Sequence, residues 1–202
     1  MKKSHIIIYL ISFLITIASY IYFITTFIEG EATLYLHSYH LVALGLIAVP
    51  MLIELIFKKE LPYIVLVGYI LFVITAQIIG SAYQGYRDIY VLDLIVHAFS
   101  AFLVVVFVDY VWGKNVKDLS TLHRFIYFIG TAILVGVLWE IVEFLGDDWF
   151  GMNNQAFKRF GVELVGHDAI SDTMIDLICD FVGAIIGSSY VELVGRQNEK
   201  NL

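Results

Sequence analysis

A chain of 202 residues that is 60% hydrophobic and only 15% charged has too little polar surface to clothe a water-soluble domain, in which about half the residues are apolar and about a quarter charged. The formal net charge of −7, with no basic cluster beyond Lys2-Lys3 and Lys58-Lys59, argues against a nucleic-acid partner. The single cysteine, Cys179, excludes an intramolecular disulfide and a cysteine-ligated zinc site.

A membrane-crossing helix needs roughly 20 apolar residues, and the sequence predicts six of them, an all-α polytopic bundle. The first runs from His5 to about Ile28. It is far longer than the apolar core of a signal peptide and no Ala-x-Ala site follows, so it is expected to be an uncleaved span. The second covers about Leu36 to Phe57 with Pro50 inside it, the third Leu61 to Ser81, and the fourth Ile89 to Trp112. The fifth covers Phe125 to Gly146 and the sixth Asp172 to Val194. Residues 1–88 form a three-helix N-terminal region, and 89–195 a second three-helix region with a long connection at 147–171. That connection, rich in aromatic residues and glycine, reads as an amphipathic cap at the membrane boundary with a short helix.

Lys and Arg favour cytoplasmic connections. With the N-terminus inside, Lys2, Lys3, Lys58, Lys59, Lys114, Lys117, Arg124, Arg196 and Lys200 fall on the cytoplasmic side, and only Arg87, Lys158 and Arg159 outside. Both termini are therefore expected in the cytoplasm.

This orientation, assigned from basic residues alone, carries seven ionisable groups to the outer half of the membrane. Asp93 and His97 are four apart on the fourth span, Glu140 and Glu143 three apart on the fifth. Either spacing shares a helix face. Asp172, Asp176 and Asp180 form a stripe descending roughly 12 Å into the sixth span. A charged side chain at a helix centre costs about 2.5–3.5 kcal/mol on insertion scales. The acids should therefore face an interior holding water, protons or a cation. Each has a purely structural alternative: Asp172 as a helix cap, Asp93 stabilised by the helix dipole, His97 as a core histidine bonded to a carbonyl, Glu140 paired to a neighbouring helix. Glu54 precedes Lys58 by four and reads as a helical ion pair. His37 and His40 either join the site or sit among headgroups. Arg87 is the best-placed cation for an anionic headgroup, with Lys158-Arg159 its competitor. Gly183-Ala184 and Gly187 offer a small face for packing within the chain.

Three motifs, Asp93-Leu-Ile-Val-His97, Trp139-Glu140-Ile-Val-Glu143-Phe144 and Asp172-Thr-Met-Ile-Asp176-Leu-Ile-Cys-Asp180-Phe-Val-Gly183-Ala184, resemble those of the YjdF-type bacterial inner-membrane proteins. More distantly, they resemble the VanZ-like superfamily. The resemblance covers about Tyr90 to Gly187. It implies a multi-pass location in the bacterial inner membrane but no established activity. Where the VanZ-like pattern has lysine, glutamine and asparagine, this chain has Leu94, Glu143 and Asp180, and each change makes the site more acidic.

One histidine with several carboxylates suits Zn²⁺, Mn²⁺ or Mg²⁺. The ligands expected are His97, Glu143, Asp176 and Asp180, with Glu140 or Asp93 as general base and Arg87 and Asp172 toward substrate. The first functional reading is a metal-dependent enzyme acting on a membrane lipid or lipid-linked envelope precursor. The alternatives are a non-enzymatic membrane factor that binds an envelope component through the outer connection, and, ranked below both, an ion-coupled transporter.

Overall fold

The structure, a computed structural model, describes residues 1–26, 32–89 and 91–200, and for 32–37 and 196–200 the backbone alone. The expected end of the first span at Ile28, the side chain of His37 and the charges of Arg196 and Lys200 lie outside the described residues. Lipid offers the main chain no hydrogen-bond partners, so a membrane-crossing segment must satisfy its own amides as a helix. Among the described residues six helices are long and apolar enough to cross a membrane. The fold is the expected all-α polytopic bundle. In chain order the elements are α1 (Lys3–Thr26), α2 (Ala32–Phe57), α3 (Tyr63–Val73), a short α4 (Gly85–Asp88), α5 (Leu92–Val116), α6 (Thr121–Phe150), β1 (Lys158–Arg159), β2 (Val162–Glu163) and α7 (Ser171–Lys200). They fall into two compact units, Met1–Val96 and His97–Leu202.

In the first unit α1 turns its polar residues inward. His5, Tyr9, Ser12 and Thr16 are buried, while Ile7, Leu10, Ile11 and Leu14 are exposed. Spacings of four, three and four hold the polar set on one face. Ser12 and Thr16 donate to the carbonyls of Ile8 and Ser12, four residues back. At one end Glu54 Oε1 accepts both from His5 Nδ1 at 2.7 Å and from the backbone N–H of Leu61 at 2.8 Å. One carboxylate thus ties α1, the end of α2 and the turn into α3. The expected Glu54–Lys58 helical pair is not what the structure shows: α2 ends at Phe57, Lys58 takes a left-handed φ of 50°, and Glu54 is buried on other partners. Outside the spans Lys2 pairs with Glu60 at 2.9 Å. Chiefly through that hydrogen bond, the Glu60 carboxyl is held below its ordinary range and the Lys2 ammonium above its own.

The third span is not α-helical throughout. After Val73 it widens into a π-helix over Ile74–Ala82, and Ser81 Oγ and the Tyr83 N–H both reach carbonyls five residues back, on Ala76 and Ile78. Gly80 leaves room for the ring of Tyr86, which a Cβ would strike. Tyr83 then meets Ser19, donating to its carbonyl at 3.0 Å. His40 Nε2 lies 3.2 Å from Ser19 Oγ, its ring stacked on Tyr20 and fully buried. His40 is therefore a core residue of this unit and not a headgroup contact.

In the second unit α5 from His97 onward, α6 and α7 pack around Ala101, Val105, Val108, Phe128, Ala132 and Ala184. Lipid is as apolar as leucine, so burial alone gives helices little reason to associate there, and small residues that admit close backbone contact do much of the work. Gly183 lies directly on the backbone of Ala98, and Gly187 on Phe102 and Val105. The small face of the last span is thus used within the chain. Ser120 caps the start of α6, accepting from the His123 N–H, and Gly151 ends it with a left-handed φ of 64°. The helix is longer than expected at both ends, so Asp147 to Phe150 form its last turn and not a connection. The rest of that connection holds the β1–β2 hairpin and a 3₁₀ turn at Asp168–Ile170, where a short helix was expected.

Replacing Glu54 with alanine leaves two buried donors without an acceptor, each worth about 1–3 kcal/mol. Glu54→Ala should lower unfolding stability in detergent by about 2–4 kcal/mol, and Glu54→Gln, which keeps an acceptor, by less.

Candidate functional site

The chemistry-bearing residues of the second unit gather near one end of its helices. Helix α7 runs antiparallel in sequence sense to α6, so the early turns of α5 and α7 and the late turns of α6 share one level. On α7, Asp176 and Asp180 are 2% and 1% exposed. On α5, His97 is 7% exposed and its Nδ1 lies 3.4 Å from Asp180 Oδ1. The backbone contact of Gly183 with Ala98, one residue after His97, brings the two helices this close. A second glycine completes the arrangement: a Cβ at Gly136 of α6 would collide with Asp180 Oδ2. Only glycine at 136 lets the carboxylate lie there.

Asp93 stands one turn before His97 on the unbroken helix α5. Asp93, His97 and Asp176 each offer one ligand atom, and the three atoms lie within 4.8 Å of one another. Glu140 of α6 is 5% exposed and within electrostatic reach of His97 and Asp180. Within this group two buried carboxylate oxygens, Glu140 Oε1 and Asp180 Oδ2, have no hydrogen-bond partner among the described residues; Glu54 Oε2 of the first unit is a third such oxygen. An orphaned buried carboxylate oxygen is costly. Four carboxylates around one imidazole also repel, and a cation answers both problems at once.

The connection reaches into this group. Asp147, one face-repeat beyond Glu140, is buried, and its two oxygens accept the backbone N–H groups of Asn154 at 2.6 Å and Gln155 at 3.0 Å. So held, Gln155 Nε2 donates to Thr173 Oγ1 at 2.9 Å and lies 3.4 and 3.5 Å from the main-chain oxygen and Oε2 of Glu140. Sequence reasoning passed over Asp147, Gln155, Thr173 and Gly136. A signal existed for two of them, since Gly136 and Asp147 fall four before and seven after Glu140, on its face.

The other expected site residues are not among these three ligand atoms. Glu143 is half-buried and accepts from the indole N–H of Trp139 on its own helix at 2.8 Å. Asp172 is half-buried in the first turn of α7. Arg87 belongs to the first unit, where its exposed side chain pairs with Asp88 at 3.0 Å.

These buried groups lie inside apolar helices, and the comparison with known families agrees on that setting. A family model described as "Predicted membrane protein (DUF2238)" matches residues 7–197. The chain belongs to this family. The match runs through both units, so the DUF2238 pattern takes in the polar first unit as well as the acidic second one. No curated protein and no solved structure matches the chain.

The tie from Asp147 has a direct test. Asp147→Ala removes the acceptor for two loop amides, each worth about 1–3 kcal/mol when buried. Hydrogen exchange over 151–157, followed by mass spectrometry, should then accelerate while the helices exchange as before.

Proposed function

We propose that this DUF2238 protein holds a divalent cation on Asp93, His97 and Asp176 and acts on the polar head of a membrane lipid or lipid-linked envelope precursor. The observation that carries the reading is the three-residue ligand group beside two orphaned carboxylate oxygens. Ligands bound to one ion at about 2.0–2.2 Å are at most about 4.4 Å apart, so donor atoms spread over 4.8 Å need only side-chain rotations of a few tenths of an ångström. One imidazole nitrogen with carboxylate oxygens suits Zn²⁺ or Mn²⁺, and Mg²⁺ if waters complete the shell.

In this reading the residues take different roles from those the spacing suggested. Asp93 is a ligand. Asp180, against His97 Nδ1, orients the imidazole as carboxylates commonly do for metal-bound histidines. Glu143, on Trp139, stays outside the ligand set. Glu140 is the general base: buried, with one oxygen unpartnered and the other facing Gln155, it can take a proton from a water or substrate hydroxyl. A bound cation would polarise that water and the scissile group. The site's place one to two turns inside the helix ends supports a substrate presented at headgroup depth, for which no water-soluble domain is needed. The Lys and Arg bias supports placing that end outside the cytoplasm, with both termini inside. The three motifs support grouping the chain with the YjdF-type proteins of the bacterial inner membrane.

Metal analysis and calorimetric titration with Zn²⁺ and Mn²⁺ in detergent should give about one ion per chain. Asp176→Asn should weaken binding by about 100-fold and Asp180→Asn by about 10–100-fold. Absence of binding by the wild-type protein ends the proposal. With metal bound, release of water-soluble label from a radiolabelled membrane-lipid extract should fall by about 10²–10⁴ in Glu140→Gln. Stoichiometric metal with no release would favour the binding-factor reading instead.

A further inference from the structure

The β1–β2 hairpin pairs Lys158 with Glu163 and Arg159 with Val162, which leaves Phe160 and Gly161 as its two loop residues. Both have left-handed backbones, with φ of 52° and 78°. This is the turn whose first position is ordinarily asparagine, aspartate or glycine, because a larger side chain crowds its own backbone at positive φ. Phenylalanine is a poor choice there on conformational grounds. It is also a poor choice on solvation grounds, since its ring is 99% exposed and finds no support among the described residues. A residue that local backbone preference and water both disfavour points to a contact outside the chain.

The neighbourhood says what kind. Val162 and Val165 are 68% and 82% exposed beside the tip, and the strand leading to it carries Lys158 and Arg159. Apolar tips flanked by cations are the composition of elements that lie at a membrane surface, with rings at the headgroup–acyl boundary and cations at lipid phosphates. The hairpin hangs between α6 and α7, both long and apolar enough to cross the membrane. Only the short segments 151–157 and 164–170 join it to them, and Asp147 holds the first of these at Asn154 and Gln155. The apolar phase within their reach is the leaflet in which the chain itself is embedded.

We propose that the β1–β2 hairpin docks on the membrane leaflet, with Phe160 inserted at the headgroup–acyl boundary and Arg159 at lipid phosphates. This stands whether or not the acidic site binds a metal.

The test uses the full chain in vesicles of phosphatidylcholine and phosphatidylglycerol, with Cys179→Ser as the labelling background. An NBD fluorophore on Phe160→Cys, or on Val162→Cys with Phe160 intact, should be quenched about twofold or more by lipids carrying a doxyl group high on the acyl chain. It should be shielded from aqueous iodide, whereas a label on His167→Cys should not. Adding Phe160→Asn, which suits the turn, to the Val162→Cys protein should abolish the doxyl quenching. Iodide quenching equal to that of the free dye overturns the proposal. So does protection from both quenchers, which would place the tip against protein, and so does doxyl quenching that survives Phe160→Asn.

Discussion

The close approach of α7 to its neighbours is the contact on which the rest of the second unit depends. Inside a bilayer the exclusion of apolar surface from water does not hold helices together, so attraction must come from short-range packing and polar bonds. Gly183 supplies the first against Ala98, and Gly136 opens the space that Asp180 fills. Without these two missing side chains the carboxylate could not reach His97. The glycines have no chemistry of their own, yet they decide where the chemistry lies.

The first unit solves the same problem with hydrogen bonds. Glu54 gathers an imidazole and a backbone amide, and Ser19 gathers Tyr83 and His40. Each bond replaces one that water would otherwise make, which is why the polar residues of α1 point inward and the aliphatic ones toward lipid. A buried carboxylate that organises a helix junction and one poised for reaction look alike in a sequence. Their surroundings separate them: Glu54 takes an imidazole and a backbone amide at a helix turn, whereas Asp180 and Glu140 stand near His97 among further carboxylates.

Six apolar runs were legible because bilayer thickness imposes a length that few other constraints mimic. The gathering of Asp93, His97 and Asp176 was legible in outline, because spacings of four mark a face and antiparallel spans bring like levels together. What could not be read was the choice of partner across helices. Glu143 and Asp180 looked alike as ligands, but an indole on its own helix takes the first and the imidazole of His97 the second. Glu54 and Lys58 had a favourable spacing and still parted, because α2 stops at Phe57. The π-helix over Ile74–Ala82 left no periodic trace, since a five-residue hydrogen-bond step concerns the backbone and the packing of Tyr86 against Gly80. The connection after α6 starts later than its composition suggests, because Asp147 still belongs to the helix while its carboxylate organises the loop.

At the opposite end of the second unit Arg124 grips Glu192 with two nitrogens, at 2.5 and 2.7 Å, and reaches the carbonyls of Lys117 and Leu119. That guanidinium fastens α6, α7 and the α5–α6 turn in a single fork. At the other end the loop is held to α7 by a neutral bond, Gln155 on Thr173, where this end uses a charged fork.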